Sequence, residues 1–455
     1  MNKNYIENKL SQELVLVQEL IEKAKKAGIS NVEVYGAYGH GEEVGLEKSD
    51  LNASQTLEET NFGVRVIESG SQGFVTTNNL PTLWESILEA KNLAKSQSTP
   101  DLDLVLPAPR FCGDPIDSYH PELDQIELSH LTNYAKELLD WRDKNPLISI
   151  DSGGLSLQKG YRFIASSQGV LQQEMSASIS ASVMGMAIEG DVVGSFDYDS
   201  GSGDTVLEFE SEWNKAREEF ALKCLRSLRA KPGKSFKGYV ILPPDYVYSF
   251  FLGLFLSSLT GSNLRKGKSK MAGKLGSKVG SELLTIKDEP HLVGKAGSTT
   301  FDREGMPTEP LSVLDRGVLN CYFYNTYEAK KAGLKESNGC ASGGSSSLPG
   351  MGAHQLQIVP GNSDKQEFYK LDRPALVMGR LSGTSQASSG DFSGVIKGGL
   401  FIENGLEIPI KEVQIVGNAF EALNQIVAIS SQGEWLGRSS FVPYMLLDGF
   451  QITGN

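Results

Sequence analysis

The sequence predicts an α+β protein: N-terminal α+β units with antiparallel sheets and flanking helices, followed by a mainly β C-terminal domain. Three observations carry this prediction. Helical periodicity is concentrated in four long stretches before residue 232, strand-like alternation broken by Gly and Ser lies between them, and from Gly238 onward short glycine-rich runs dominate. A chain of 455 residues with 39% hydrophobic and 22% charged content can bury large cores, and its length suggests two or three domains.

The first helix is read from SQELVLVQELIEKAKKAG, with Leu14, Val17, Leu20, Ile21 and Ala24 on one face, Ser11 placed to cap it and Gly28 to end it. Asn31 to Asn79 alternates as antiparallel strands joined by tight turns, and Thr82 with Glu85 spells a capping box before TLWESILEAKNLAKSQ. The proline-rich STPDLDLVLPAPRFCGDP, residues 98–115, reads as a linker, so a first unit is expected over residues 1–100. A second unit, residues 101–232, opens with the helical PELDQIELSHLTNYAKELLDWRDKN, continues through alternating runs and closes with SEWNKAREEFALKCLRSLRA. Pro232 and Gly233 end that helix, and residues 233–455 form the mainly β domain.

Bulk charge narrows the function classes. A formal net charge of −13 argues against direct nucleic-acid binding, which rests on Lys and Arg neutralising phosphates. The segment MNKNYIENKL lacks an apolar signal region, so a cytoplasmic location is expected. Cys112, Cys224, Cys321 and Cys340 form no C-x-x-C pair and read as reduced, mostly packing thiols.

The most apolar stretch is FFLGLFLSSLTGSNLRKG, residues 250–267. From Asp245 to Thr260 it offers about 16 residues, short of the roughly 20 that cross a bilayer, so it reads as a buried core helix and no membrane partner is expected. Gly261 and Gly267 have five residues between them where a phosphate loop needs four.

Beyond this helix, SNLRKGKSKMAGKLGSKVGSELLTIKDEP, GSTTFDREGMPTEPLSVLDRGVLNCYFYNTYEAKKAG and DFSGVIKGGLFIENGLEIPIKEVQIVGNAFEALNQIVAIS resemble the third domain of the TldD/PmbA (TldE) family, a group often described as modulators of DNA gyrase. FGVRVIESGSQGFVTTN resembles that family's first-domain hairpin, and the resemblance runs along nearly the whole chain. The family implies zinc metalloproteases whose TldD-type members carry H-E-x-x-x-H on this helix and a cysteine ligand near the C-terminus. Such a site needs two imidazoles and a third ligand on the metal, an open position for water and the glutamate as base. Histidines five apart point about 140° away from each other on an undistorted helix, which suggests a π-type distortion.

With the family pattern aligned on Arg265, Lys266 and Gly267, the histidine positions fall on Leu252 and Ser257 and the glutamate on Gly253. No histidine lies between His130 and His291, so no shift of register restores the motif. The C-terminal cysteine is replaced in GEWLGRSSF, where Trp435 and Leu436 stand. The resemblance therefore implies a TldE/PmbA-like chain with no catalytic residue, no metal ligand and no cofactor of its own. Zinc is expected only in a TldD-type partner, and extended or unfolded peptides are the implied substrates. A stand-alone homodimeric peptide-binding or scaffold protein is the alternative.

Other constellations read as bland. His40, His120, His130, His291 and His354 show no metal-ligand spacing, and Asp197, Asp199 and Glu208 match an EF-hand only in part, so an acidic β-turn is preferred. Asp302 and Glu304 in FDREG share a strand face with nothing apolar nearby to raise a pKa, and read as a structural loop at the cleft. Cys340 in SNGCASGG lacks a histidine partner. The loops SNGCASGGSSSLPGMG and SGTSQASSGDFSG are long enough to clasp a peptide through backbone hydrogen bonds. The third domain is therefore expected to carry the oligomer interface and the substrate cleft, with Ser257, Asp302, Glu304, Ser342, Ser388, Gly390 and Asp391 as cleft candidates.

Overall fold

The computed structural model of the chain describes residues 1–116 and 118–454. The first helix, α1 (Lys3–Lys26), is longer than its apolar face suggested, because Ile6 and Leu10 extend that face by two turns. Asn2, not Ser11, caps it by accepting from the Tyr5 amide, while the Ser11 hydroxyl donates to the Glu7 carbonyl inside the helix. Gly28, with φ +76°, ends it as expected.

Strands β1 (Val32–Glu47), β2 (Asp50–Glu68) and β3 (Ser71–Thr77) form a meander, and α2 (Leu83–Ser96) follows. The capping box expected at Thr82 is absent. A 3₁₀ turn over Leu80–Thr82 points its hydroxyl back at the Asn79 carbonyl, 2.9 Å away. A capping box forms instead at α3 (Leu128–Lys144), between Glu127 and His130. Strands β4 (Ile148–Ser166), β5 (Leu171–Glu189), β6 (Val192–Val193) and β7 (Asp197–Gly203) lead into α4 (Val206–Leu228), capped by Thr205.

Residues 1–100 and 101–232 share one antiparallel sheet. Its order is β3-β2-β1-β4-β5, with β6 and β7 both beside β5. β1 is central: β2 takes one edge and β4 the other, from Glu33 opposite Ser166 to Glu47 opposite Ser152. One apolar core joins Val17 of α1, Ile87 of α2, Leu131 of α3 and Phe220 of α4 to this sheet. The boundary expected at residue 100 is thus crossed by a strand pairing that spans more than a hundred residues, which no local pattern announces.

The C-terminal domain is mainly β, as its texture indicated. Strand β8 (Phe236–Leu242) lies antiparallel to Ser440–Gly454 and parallel to Ala375–Val377. The apolar segment of residues 250–258 sits in the core beside them. Its helix runs through Pro244–Val247, a π-turn at Tyr248–Leu252 closed by the Gly253 amide on the Tyr248 carbonyl, and Gly253–Ser258. Phe250, Phe251, Leu252 and Phe255 are fully buried, and the Phe250 ring packs 4.8 Å from Phe392 and 5.3 Å from Phe450. No helix among the described residues is long and apolar enough to cross a membrane.

The segment SGTSQASSGDFSG is mostly strand. Arg380–Ser385 pairs with Asp391–Lys397, leaving residues 386–390 to turn. Gly383 is required by close approach rather than flexibility, since a Cβ there would stand 2.1 Å from the Ser393 carbonyl oxygen.

The C-terminal domain is keyed to the sheet by a buried ionic cluster. Arg65 Nη2 lies 2.6 Å from Glu33 Oε2 and 3.3 Å from Glu304 Oε1, and Arg303 Nη1 lies 3.1 Å from Glu33 Oε1. None of the four side chains is more than 3% exposed. The Arg303 guanidinium also stacks 4.0 Å over the Tyr35 ring. Glu33→Gln leaves two buried guanidiniums short of a counter-charge and is expected to cost about 3 kcal/mol of stability. Urea unfolding checks this, and a change below about 0.5 kcal/mol would remove the cluster from the forces that hold the domains together.

Candidate functional site

On the helix where the zinc-binding pattern aligns, the three positions face different surroundings. Leu252 is in the core, and a Cβ on Gly253 would come 2.9 Å from the Tyr248 ring. Ser257 is half-buried, with its carbonyl accepting from Thr260 Oγ1 at 2.9 Å and Asn263 Nδ2 at 2.8 Å. A leucine, a glycine and a serine supply no imidazole or carboxylate, so these residues do not fit a zinc ion. Among the described residues no group of three His, Cys, Asp or Glu side chains is placed to hold a metal. The π-type distortion expected between the two aligned histidine positions is not found there: Gly253–Ser258 is ordinary α-helix, and a π-turn lies just before it, over Tyr248–Leu252, ending at the first of those positions. Just beyond, Arg265 makes a paired contact to Glu328, with Nε and Nη2 at 2.8 and 2.7 Å from its two oxygens.

The start of this helix opens onto a cleft of about 240 Å³ between the two domains. Asp245 and Tyr246 line it together with Asp197 and Asp199 of β7, Lys215, Glu219 and Lys223 of α4, and Glu434–Gly437, the segment where a TldD-type cysteine is expected. Lys223 lies 2.8 Å from Asp199 and 3.8 Å from Asp245, and Lys215 lies 2.8 Å from Glu434. Burial pushes the carboxyls of Asp197, Glu219 and Asp245 up. Burial works against the charge on Lys223, but Asp199 outweighs it and holds the amine above its ordinary range. Glu208 faces Lys295 and Arg438 instead, so the partial EF-hand pattern Asp197, Asp199, Glu208 does not converge.

Asp302 and Glu304 do not line a cleft: they are 0% and 1% exposed. Asp302 accepts from the amides of Glu304, Met306 and Ala341 at 2.8, 3.0 and 3.0 Å. Glu304 accepts from the Thr326 amide at 2.7 Å besides pairing with Arg65. The sequence offered no reason for a raised pKa, yet burial, then the charge of Glu304, push Asp302 up to about 7 against its three amide donors. Beside it, Phe301 and Met306 of the same loop cluster with Tyr35 and Ile164 of the sheet, which the sequence places far away.

Ser342 pairs with Gly350 in a two-residue ladder. Its loop is tied down rather than free, because the Gly344 carbonyl accepts from Arg303 Nε at 3.1 Å and the Pro349 carbonyl from Asn325 Nδ2 at 3.0 Å. Ser388 is exposed at the other hairpin's turn. Gly390 has φ +83°, and a Cβ there would stand 2.4 Å from the Phe420 ring. Asp391 Oδ1 accepts from Asn418 Nδ2 at 2.8 Å, and this bond, then one from Ser389, hold its carboxyl below the ordinary value. The candidates therefore fall in three places: Asp302, Glu304 and Ser342 beneath the sheet, Ser388, Gly390 and Asp391 around Asn418, and Ser257 on the helix. No hydrogen bond or ion pair among the described residues joins these places.

Arg303, Glu33 and Arg65 were missed. Glu33 and Arg65 carried a signal, a charge interrupting an apolar strand run in VEVY and GVRVI, whereas Arg303 in FDREG carried none.

Two expectations follow. Folding takes up a proton at Asp302 between its ordinary 3.8 and about 7, so this contribution is fully present below that window and is lost as pH rises through about 7. Stability is expected to fall by about 2–4 kcal/mol across the window, and Asp302→Asn, which cannot titrate, to flatten that slope in urea unfolding at several pH values. An unchanged slope assigns the proton to another group. Gly390→Ala is expected to cost about 1–2 kcal/mol in the same assay through its left-handed backbone and the Phe420 contact. A neutral result would show that the turn relaxes freely.

Comparison with known proteins places this geometry. The PmbA/TldA metallopeptidase C-terminal domain matches residues 235–454, and PmbA/TldA metallopeptidase domain 1 matches residues 32–97. The chain is 27% identical over 427 residues to an uncharacterised protein of Methanocaldococcus jannaschii, covering 91% of this chain and 94% of that protein. It is 27% identical over 328 residues to metalloprotease PmbA of Escherichia coli O157:H7, covering 71% and 69%. TldE of Thermococcus kodakarensis has the same fold, with a TM-score of 0.86 at 21% identity over 96% of this chain and 100% of that one. A Bacteroides thetaiotaomicron protein described as a candidate modulator of DNA gyrase superposes with a TM-score of 0.85 at 25% identity, covering 97% and 98%. With both terminal domains matched and the fold shared end to end, the chain belongs to the PmbA/TldD family of metalloprotease-like proteins.

Proposed function

We propose that this chain is the non-catalytic, TldE/PmbA-like subunit of a cytoplasmic heterodimeric zinc metalloprotease that processes extended or unfolded peptides. One observation carries the reading: the helix is present with its aromatic packing, while Leu252, Gly253 and Ser257 stand where ligands and base belong. A TldD-type partner supplies zinc, which polarises the peptide carbonyl and activates water there. This chain contributes no step of that chemistry. Its part is to complete the wall of the peptide path and to hold the partner's site closed to bulk water. The gyrase label fits an indirect route through protein turnover, since a net charge of −13 disfavours duplex DNA.

The test is to purify the chain alone and with a TldD-type subunit, and to measure peptide cleavage and zinc content. Cleavage and about one zinc per heterodimer are expected only in the complex. Cleavage by this chain alone, lost together with a tightly held zinc, would overturn the proposal. A stable homodimer that ignores the TldD-type subunit would favour the stand-alone scaffold. Ser388→Arg, on an exposed turn, tests the substrate path: cleavage is expected to drop with assembly intact, and unchanged cleavage removes that hairpin from the path.

A further inference from the structure

β1 is paired on both sides along its length, but β2 is not. β3 covers only Phe62–Glu68 of β2, so Asp50–Asn61 have β1 on one side and, among the described residues, no strand on the other. Residues 50–59 are exposed without exception. At about 3.3 Å per residue this is an open edge of roughly 35 Å, with alternate amides and carbonyls directed into solvent.

Proteins usually blunt such an edge with lysine, proline, bulges or a covering element. Here Leu51–Leu57 reads LNASQTL, with no charge and no proline. The one register shift falls at the hairpin tip, between Gly45 and Leu46 on β1, and leaves the ladder regular from Ala53 onward. On the helix-free face, Ala53 and Gln55 open onto a hollow of about 400 Å³ floored by Gly154, Ser156 and Ser180.

The charges choose between occupants. Asp50 lies at one end of the neutral stretch and Glu58 and Glu59 at the other. An antiparallel second copy would set acid against acid at both ends, which destabilises a strand pair. A foreign strand with basic residues flanking a neutral, β-prone centre meets the same acids favourably. We propose that the outer edge of β2, Ala53–Asn61, binds an extended peptide with basic ends by strand addition. This rests on the reading that the chain handles extended peptides, and it adds a docking edge on the N-terminal sheet to the C-terminal hairpin whose turn carries Ser388.

The probe is a fluorescent peptide of alternating threonine and valine with lysine at each end, titrated by anisotropy against this chain alone. Because no protease partner is present, the outcome is separate from cleavage by a complex. Binding is expected for the native chain and to weaken at least about tenfold in Ser54→Lys/Thr56→Lys, which places charge in the neutral edge. Peptides N-methylated at alternate residues test the backbone directly on the native chain: one alternate set should lose binding and the other retain it. Equal binding of both sets, or equal binding by native chain and variant, would overturn the proposal. So would light scattering that shows a native dimer turned into monomer by the same substitutions, since the edge would then belong to a second copy.

Discussion

Four side chains almost closed to solvent key the C-terminal domain to the N-terminal sheet. Glu33 and Arg65 come from adjacent strands of the N-terminal sheet, Arg303 and Glu304 from one loop of the C-terminal domain. Taking two guanidiniums and two carboxylates out of water costs several kcal/mol per ion, and their mutual attraction roughly repays it. The net gain is small, but the specificity is large. Any other docking of the domains would strand a buried charge, so the cluster acts as a key more than as a clamp. Arg162 repeats the logic nearby, pairing with Glu174 and reaching Thr299 of the same loop at 2.9 Å.

That key explains why the acidic loop is structural. Asp302 and Glu304 resemble a catalytic pair only in sequence. In the fold they are enclosed, and every oxygen of theirs accepts from an amide or a guanidinium. The loop at residues 343–347, which a linear reading takes for a clasp, is fastened by Arg303 to the same junction. The helix of residues 244–258 shows a related division. Its buried face is a tight aromatic packing, and its first turn reaches the interdomain cleft where Trp435 and Leu436 also stand. Scaffold and cleft stand together in a chain with Leu252, Gly253 and Ser257 at the aligned positions.

The amino-acid sequence by itself determined the α+β class, the mainly β C-terminal domain, the burial of the apolar helix and the loss of the zinc motif. Each of these rests on local information: a period, a turn residue, a length, or the identity of a residue in a motif. Tertiary structure alone decided the rest. The pairing of β1 with β4 merged two expected units into one sheet. Thr82 lost its cap to a preceding turn, and SGTSQASSGDFSG became a hairpin in which Gly383 admits the close approach of the partner strand. The raised pKa of Asp302 came from burial, which folding imposes on a carboxyl already close to Glu304 in the chain. Burial is a sum over neighbours in space, and the sheet that encloses this loop is built from residues more than a hundred positions away in the chain.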